Sequence, residues 1–151
     1  MNTQTTKAQK SVNYSLKSVK SDFDKKKIIT SKDAADYIRQ FYGEDISIYE
    51  SFFILMLNRS MNTIGWVKIS QGGITGTVVD VRIIAKYAVD SLATNIILAH
   101  NHPSGNTQPS QEDTAITEKI KQGLKLLDIN VSDHVILTEE SYYSFCDEGI
   151  I

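Results

Sequence analysis

Short runs of apolar residues constrain the fold of this chain more than any other feature of its sequence. Residues 51–57 and 95–99 are largely apolar, rich in branched and aromatic side chains, and too short for a typical helix. Such runs favour buried strands. Elsewhere, apolar residues recur at helical spacing. Strands and helices should therefore alternate, and the sequence predicts an α/β fold with a single mixed sheet flanked by helices.

The predicted elements fill one domain over residues 29–151. Helices are expected over residues 82–93 and 110–127, and from an N-cap at Thr30 or Ser31 to a terminal Gly43. Strands are expected at residues 51–57, 63–70, 77–81, 95–99 and 135–137, the first two as an antiparallel pair. Residues 71–76 should form a glycine-rich turn, residues 102–109 a loop and residues 142–145 a terminal turn.

The charge of the chain is divided unevenly between its beginning and the rest. Residues 1–30 carry seven lysines and two aspartates, a net charge of +5. Since the net charge of the whole chain is −2, residues 31–151 have a net charge of −7. Residues 1–28 are polar and aperiodic, and we expect a basic, disordered tail before the domain. A basic tail can contact phosphates, so a weak contact with nucleic acid is the second interpretation of this segment.

Composition excludes several classes of protein. With 151 residues, the chain suits one compact domain. No apolar run approaches the roughly 18 residues that cross a bilayer. The single cysteine, Cys146, excludes a disulfide framework and a multi-cysteine zinc site. Residues 1–28 contain neither the apolar core of a secretory signal nor the arginines of a transit peptide, which favours a cytoplasmic location.

Four of the five histidine and proline residues of this chain lie between positions 100 and 109. His100 and His102 follow a predicted buried strand, and Pro103 begins a loop that leads to Asp113 in the first turn of the next helix. The N-terminal end of a helix favours a carboxylate. Two imidazoles and one carboxylate form a ligand set typical of catalytic zinc sites, which leave a fourth position open to water. These three residues are therefore candidate metal ligands.

Each part of this pattern has an ordinary structural explanation when taken alone. Histidines in loops often make only hydrogen bonds, and Ser110 with Asp113 matches a variant of the capping box that begins many helices. The combination His100-x-His102-x7-Ser110-x2-Asp113 is much more specific than its parts. It resembles the JAMM motif of the JAB/MPN metalloprotease superfamily.

The resemblance is strongest to the RadC branch of that superfamily. It is carried by residues 100–106 and 109–110, with further matches at Arg82 and at residues 95–99 and 133–136. It covers residues 31–151 and implies the JAB/MPN fold, which has a cytidine-deaminase-like architecture. In that family a glutamate on an early strand completes the site. This position falls on Glu50, which taken alone would be interpreted as a solvated charge at a strand end.

The resemblance also implies a reaction. One Zn²⁺ per chain would be held by His100, His102 and Asp113. Glu50 would act as the general base toward water, and Ser110 would donate a hydrogen bond to the oxyanion. These roles describe a zinc-dependent metallohydrolase, a JAMM-type peptidase or isopeptidase that acts on a peptide or isopeptide substrate of unknown identity.

The main alternative is a non-catalytic or DNA-associated accessory protein, since the RadC group carries a DNA-repair label. The basic tail favours this alternative, whereas the lack of a helix-hairpin-helix segment before Thr30 weighs against it. A zinc nucleobase deaminase would need two cysteines. A non-haem iron oxygenase could use the same three ligands, but Glu50 and Ser110 favour hydrolysis.

Four further residues receive structural assignments. Asn101 and Ser104 are expected to shape the loop. His134 is expected to have a structural role or to support a ligand rather than to bind metal. Cys146 is expected to be a small, buried or half-buried side chain, because nothing places a catalytic base beside it.

Overall fold

A five-stranded mixed sheet forms the centre of the fold. The structure is a computed structural model that describes residues 10–15, 17–74 and 76–151. The strands are β1 (Ser51–Leu57), β2 (Thr63–Gln71), β3 (Asn95–Asn101), β4 (Asn130–Leu137) and β5 (Tyr142–Ser144), in the order β2-β1-β3-β4-β5. β1 is antiparallel to both β2 and β3, β3 is parallel to β4, and β4 is antiparallel to β5. The predicted α/β class with a mixed sheet is confirmed.

Helices α1 (Ser31–Arg39), α2 (Val81–Asp90) and α3 (Gln111–Lys125) flank the sheet, with a short 3₁₀ turn at Glu44–Ser47. α1 and α3 both begin with a capping box, in which an N-cap hydroxyl and an aspartate three residues later exchange hydrogen bonds with backbone N–H groups. α2 is capped by Asp80, whose carboxylate accepts from the backbone N–H of Arg82. Among the described residues, no helix combines the length and the apolar character needed to cross a membrane.

The two faces of β1 belong to separate hydrophobic clusters. All seven residues of β1 are buried. Phe53 and Leu55 pack into the cluster that includes α1, whereas Ile54 and Met56 pack into the cluster that includes α2 and α3. A strand that is covered on both faces has no polar side, which explains why its sequence is continuously apolar.

The predicted strand at residues 77–81 is wrong. The chain from Gly76 to Asp80 forms no strand, and Asp80 caps α2 instead. The preceding loop folds closely on itself, since a Cβ atom placed on Gly72 would lie 1.8 Å from the carbonyl oxygen of Gly76. Only glycine permits so close an approach, and the chain turns back beyond β2 rather than extending into another strand.

Several element boundaries and the type of one element also differ from the prediction. β4 begins at Asn130 rather than at residue 135, because polar residues hide its first half in the sequence. Residues 142–144 form a short strand instead of a turn. α1 ends at Arg39, and Gly43 precedes the 3₁₀ turn rather than ending the helix.

Asp133 ties the C-terminal segment to β4. Its carboxylate accepts hydrogen bonds from the backbone N–H groups of His134 (2.7 Å) and Cys146 (2.9 Å) and from the hydroxyl of Ser144 (2.7 Å). Phe145 is fully buried, its N–H donates to the carbonyl of His134, and its ring stacks on that imidazole with the ring centres 4.8 Å apart. The side chain of Cys146 is exposed, so the expectation of a buried or half-buried thiol is wrong.

The segment before α1 is partly packed, which corrects the expectation of an unstructured stretch over residues 1–28. The ring of Phe23 stacks on Phe41 and lies against Trp66, with ring centres 5.8 Å and 5.5 Å apart. Ile28 is only 4% exposed and belongs to the core cluster beside α1. The end of this segment therefore packs with the sheet.

The described residues closer to the N-terminus than Phe23 are mostly exposed to solvent. Residues 10–15 and 17–20 are exposed and contain neither helix nor strand, while residues 1–9 and Leu16 lie outside the described part of the chain. The contact between the basic tail and nucleic acid stays a prediction for this segment.

The packing of Phe23 can be tested by truncating its side chain. We expect Phe23→Ala to lower the free energy of unfolding by about 1–3 kcal/mol, less than the roughly 3–5 kcal/mol typical of a fully buried phenylalanine. Urea denaturation followed by circular dichroism measures this loss. Val19→Ala is the control, since Val19 is 95% exposed. Equal unfolding midpoints for the two variants would show that Phe23 does not pack on the domain.

Candidate metal centre

The candidate metal centre lies at the C-terminal end of β3, the middle strand of the sheet. Successive side chains of a strand point to opposite faces. His100 and His102 therefore project toward α3, and Asn101 projects to the other face. His102 lies one residue beyond the strand, but its backbone N–H still donates to the carbonyl of Leu137 on β4 (2.9 Å). The order His-Asn-His thus places both imidazoles on one side of the sheet.

The chain turns sharply after His102. Gly105 has a φ of +84°, which favours glycine, and its N–H donates to the carbonyl of His102 (3.1 Å). The hydroxyl of Ser104 accepts from the N–H of Asn106 (3.3 Å), so Ser104 shapes the loop as expected. The carbonyl of Asn106 lies 2.7 Å from Nδ1 of His102. The loop thereby orients the His102 ring.

Asp113 completes the cluster from the first turn of α3. Its Oδ1 lies 3.2 Å from Nε2 of His100, and its Oδ2 lies 3.2 Å from Nε2 of His102. The two Nε2 atoms are 3.0 Å apart. One ligand atom from each of the three residues lies within 4.8 Å of the other two. The structure therefore brings the three predicted ligands to one point.

The chemistry of these atoms fits a divalent cation. A carbonyl oxygen only accepts hydrogen bonds, so Nδ1 of His102 carries the proton that it donates to Asn106. A neutral His102 then presents a lone pair at Nε2. That lone pair faces the Asp113 carboxylate and Nε2 of His100. Electron pairs held this close need a proton or a metal ion between them, and nitrogen and oxygen ligands of this kind suit Zn²⁺.

The ionisation of the cluster points the same way. The hydrogen bond with Asp113 raises the pKa of His102, although burial opposes this shift. Burial also acts to raise the pKa of Asp113, but the two imidazoles, which donate to this carboxylate when they are protonated, outweigh burial and hold that pKa well below its ordinary value. Both shifts favour a charged carboxylate with positive charge beside it, which is the environment that a bound cation provides.

Glu50 lies immediately before β1, and the glycine-rich loop holds its backbone. Its N–H donates to the carbonyl of Gly73 (3.1 Å), and its carbonyl accepts from the N–H of Gly72 (2.9 Å). With His100 and Asp113, it lines a cavity of about 170 Å³. Burial raises the pKa of the Glu50 carboxyl, and the nearby imidazoles lower it in part. The structure therefore places a half-buried carboxylate of raised pKa in the same cavity as two predicted ligands.

Ser110 occupies the N-cap of α3 and is exposed. Its hydroxyl oxygen accepts from the N–H of Asp113 (3.0 Å), and its N–H donates to Oδ2 of the same residue (2.8 Å). The hydroxyl proton takes no part in either bond. Ser110 lies beside a predicted ligand but does not line the cavity that holds Glu50. Its role at the oxyanion stays a prediction.

Asn101 has a larger role than the loop-shaping one expected from the sequence. Its Oδ1 accepts from the N–H of Ser51 (2.8 Å), and its Nδ2 donates to the carbonyls of Ile46 (2.6 Å) and Tyr49 (2.8 Å). The side chain is fully buried. Asn101 therefore fixes the segment that carries Glu50 to the strand that carries His100. The only sequence signal of this link is the position of a polar residue between two histidines at a strand end.

Two residues behind His100 complete the arrangement. Nε2 of the fully buried His134, on β4, lies 2.7 Å from Nδ1 of His100. Thr117 of α3 contacts the other nitrogen of the His134 ring. His134 is not part of the three-residue cluster, and no sequence pattern pointed to Thr117.

Comparison with known proteins places this arrangement in a family. The family model described as "RadC-like JAB domain" matches residues 28–150. The chain belongs to this family. The resemblance to the RadC branch is therefore confirmed, and the fold is that of a domain of the JAMM superfamily.

The chain also matches parts of several longer proteins. The chain is 49% identical to a UPF0758 protein of Flavobacterium johnsoniae over 83% of its own length and 54% of the relative. It is 42% identical to a UPF0758 protein of Porphyromonas gingivalis (68% and 45%) and to the UPF0758 protein YfjY of Escherichia coli (68% and 64%). The RadC-like chain thus spans about half the length of the first two relatives.

The link made by Asn101 can be tested by removing its amide. Asn101→Ala leaves one N–H and two carbonyl groups without their buried partner, and we expect the free energy of unfolding to fall by about 1–3 kcal/mol or more. Thermal denaturation measures the effect. Asn106→Ala removes an exposed side chain in the neighbouring loop and should cost about 0.5 kcal/mol or less. If both variants melt at the wild-type temperature, the amide does not hold the two strands together.

Proposed function

We propose that this RadC-like domain is a zinc-dependent hydrolase that cleaves peptide or isopeptide bonds. The observation that carries the proposal is the meeting of His100, His102 and Asp113 at one point, with the Glu50 carboxylate in the adjoining cavity. Two imidazoles and one carboxylate leave the fourth position of a tetrahedral site open, as catalytic zinc sites do. Membership in the JAMM superfamily supports the same chemistry.

The residues divide into those that hold the metal and those that act on substrate. Nε2 of His100, Nε2 of His102 and a carboxylate oxygen of Asp113 would hold Zn²⁺. When bound, zinc supplies a Lewis acid that lowers the pKa of water to around 7 and polarises a carbonyl group. The capping box keeps Asp113 oriented toward both imidazoles, so the proposed ligands would be preorganised for metal binding.

Glu50 would act as the general base. Its carboxylate takes a proton from water and passes it to the leaving amine, which requires a pKa closer to neutrality than that of an exposed glutamate. The raised pKa of Glu50 suits both steps. The hydrophobic side chains of Phe52, Val79 and Ile116 line the same cavity and would limit access of bulk water.

Ser110 would donate its free hydroxyl proton to the oxyanion that forms when the carbonyl is attacked. A single donor of this kind is worth about 3–4 kcal/mol in other hydrolases. Its partner in the capping box is the proposed ligand Asp113, so the capping box would hold the oxyanion donor beside the residues that bind the metal.

We also place this reaction in the cytoplasm, where a single exposed cysteine would stay reduced.

Metal content tests the ligand assignment. We expect the wild-type chain, purified without chelator, to hold one Zn²⁺ per chain, and His102→Ala and Asp113→Ala to lose most of it because each removes one of three protein ligands. Elemental analysis by plasma mass spectrometry measures the ratio. Glu50→Gln is the matched control, since it changes the cavity but no proposed ligand. A wild-type chain that refuses added zinc would overturn the assignment.

Activity tests the role of Glu50 separately. We expect Glu50→Gln to keep zinc but to lose at least about 100-fold in kcat, because the amide cannot accept a proton. The assay is hydrolysis of a library of peptides and of lysine-linked isopeptides, read by mass spectrometry with the wild-type chain as reference. Wild-type turnover by Glu50→Gln on any substrate found would show that another group is the base.

A further inference from the structure

His134 has contacts that the proposed reaction does not use. It lies on β4 beside β3, paired in register with Leu98, and is fully buried. One ring nitrogen, Nε2, faces Nδ1 of His100 at 2.7 Å, and the other, Nδ1, faces the hydroxyl of Thr117 at 2.5 Å. Each nitrogen of this ring therefore has one polar partner, and the direction of each hydrogen bond can be deduced.

Thr117 contacts a backbone carbonyl as well as the His134 ring. The hydroxyl oxygen of Thr117 lies 2.6 Å from the carbonyl oxygen of Asp113, and a carbonyl can only accept. The single hydroxyl proton of Thr117 is therefore donated to the backbone carbonyl of Asp113. Thr117 must then accept from His134, which places a proton on Nδ1 of His134.

His134 is fully buried, and its two polar partners, the Thr117 hydroxyl and the His100 imidazole, include no carboxylate that would stabilise a charged ring. A buried imidazole in such surroundings is neutral and carries one proton only. Since that proton is on Nδ1, Nε2 of His134 accepts. Nδ1 of His100 must then donate, and Nε2 of His100 is left with a lone pair directed at His102 and Asp113.

We propose that Thr117 and His134 are positioning residues that fix the tautomer and ring orientation of His100 for metal binding. The relay runs from the backbone of Asp113 through Thr117 and His134 to His100, and so joins two ligands that come from different elements. It rests on the proposed metal site. Residues that orient a metal-bound histidine in this way typically change metal affinity by about 10–100-fold when they are removed.

Thr114 shows what an ordinary threonine of the same helix does. Its hydroxyl donates to the carbonyl of Ser110 (3.2 Å), the same four-residue spacing as Thr117 and Asp113, but Thr114 is exposed. A threonine that only returns a hydrogen bond to its own helix therefore needs no imidazole partner. Thr114→Val is the matched control for Thr117→Val.

The first measurement is the tautomer of His100 in the full chain without metal. The chain has only three histidines, so ¹⁵N-detected imidazole spectra at alkaline pH, where the rings are neutral, can be assigned by substitution. We expect His100 and His134 both to carry their proton on Nδ1. In Thr117→Val, His134 loses the acceptor for that proton, and we expect both rings to shift toward the form with the proton on Nε2. Thr117→Ser, which keeps a hydroxyl, and Thr114→Val should retain the wild-type tautomers.

The second measurement is zinc affinity, by competition with a chromophoric chelator. We expect Thr117→Val to bind zinc about 10–100-fold more weakly than the wild type, and Thr117→Ser and Thr114→Val to stay within about threefold. A wild-type His100 with its proton on Nε2 would overturn the relay, as would a Thr117→Val variant with unchanged tautomers and affinity. A wild-type chain with the expected tautomers but no zinc binding would support the relay and overturn the proposed function instead. The wild-type spectrum decides the tautomer even if a variant fails to fold.

Discussion

The carboxylate of Asp113 has two roles that cannot be separated. It accepts a hydrogen bond from the backbone of Ser110 to begin α3, and its two oxygens each face one imidazole at the end of β3. The start of the helix and the position of the proposed ligand are therefore set by the same carboxylate. Because α3 then packs on the sheet through Ile120 and Leu124, the hydrophobic core holds that carboxylate in place. A helix N-terminus also favours negative charge, so the helix stabilises the ionised form that a metal needs.

The sheet contributes the other half of the site through its alternation. His100 and His102 lie toward the helix that carries Asp113, while Asn101 uses the opposite face to hold the segment before β1. One tripeptide thus positions two proposed ligands and, through the backbone, the glutamate proposed as base. Moving the strand by one residue would exchange the faces and separate all of these groups.

The sequence predicted the parts of the fold where hydrophobic pattern and local chemistry agree. β1 and β3 are apolar on both faces, and the capping boxes mark where α1 and α3 begin. The prediction was wrong where tertiary contacts decide. Residues 77–81 resemble a strand but follow a loop that closes on Gly72, and the first half of β4 contains a buried Asp133 whose partners come from the C-terminal segment.

The residues of the candidate site also fall into those that local sequence pattern predicts and those that only tertiary contacts reveal. His100, His102 and Asp113 could be proposed from residue type and spacing, because the ligand set and the strand-loop-helix order are both local. Glu50 could not, since a single glutamate before a strand has no distinguishing pattern, and only the family resemblance singled it out. Thr117 was missed because a threonine in a helix is ordinary until the imidazole that it contacts is known. Phe23 was missed because its aromatic partners are distant in sequence.

The stacking of Phe145 on His134 means that the end of the chain supports the candidate metal centre. The phenyl ring covers one face of the imidazole, and the backbone of Phe145 holds the strand that carries it. The C-terminal segment therefore restrains the imidazole that faces His100, a proposed ligand. A looser C-terminal segment would leave the His134 ring free to rotate, and His100 would lose its fixed partner although neither histidine had been changed. The packing of the C-terminal segment and the geometry of the proposed metal site are therefore coupled in this domain.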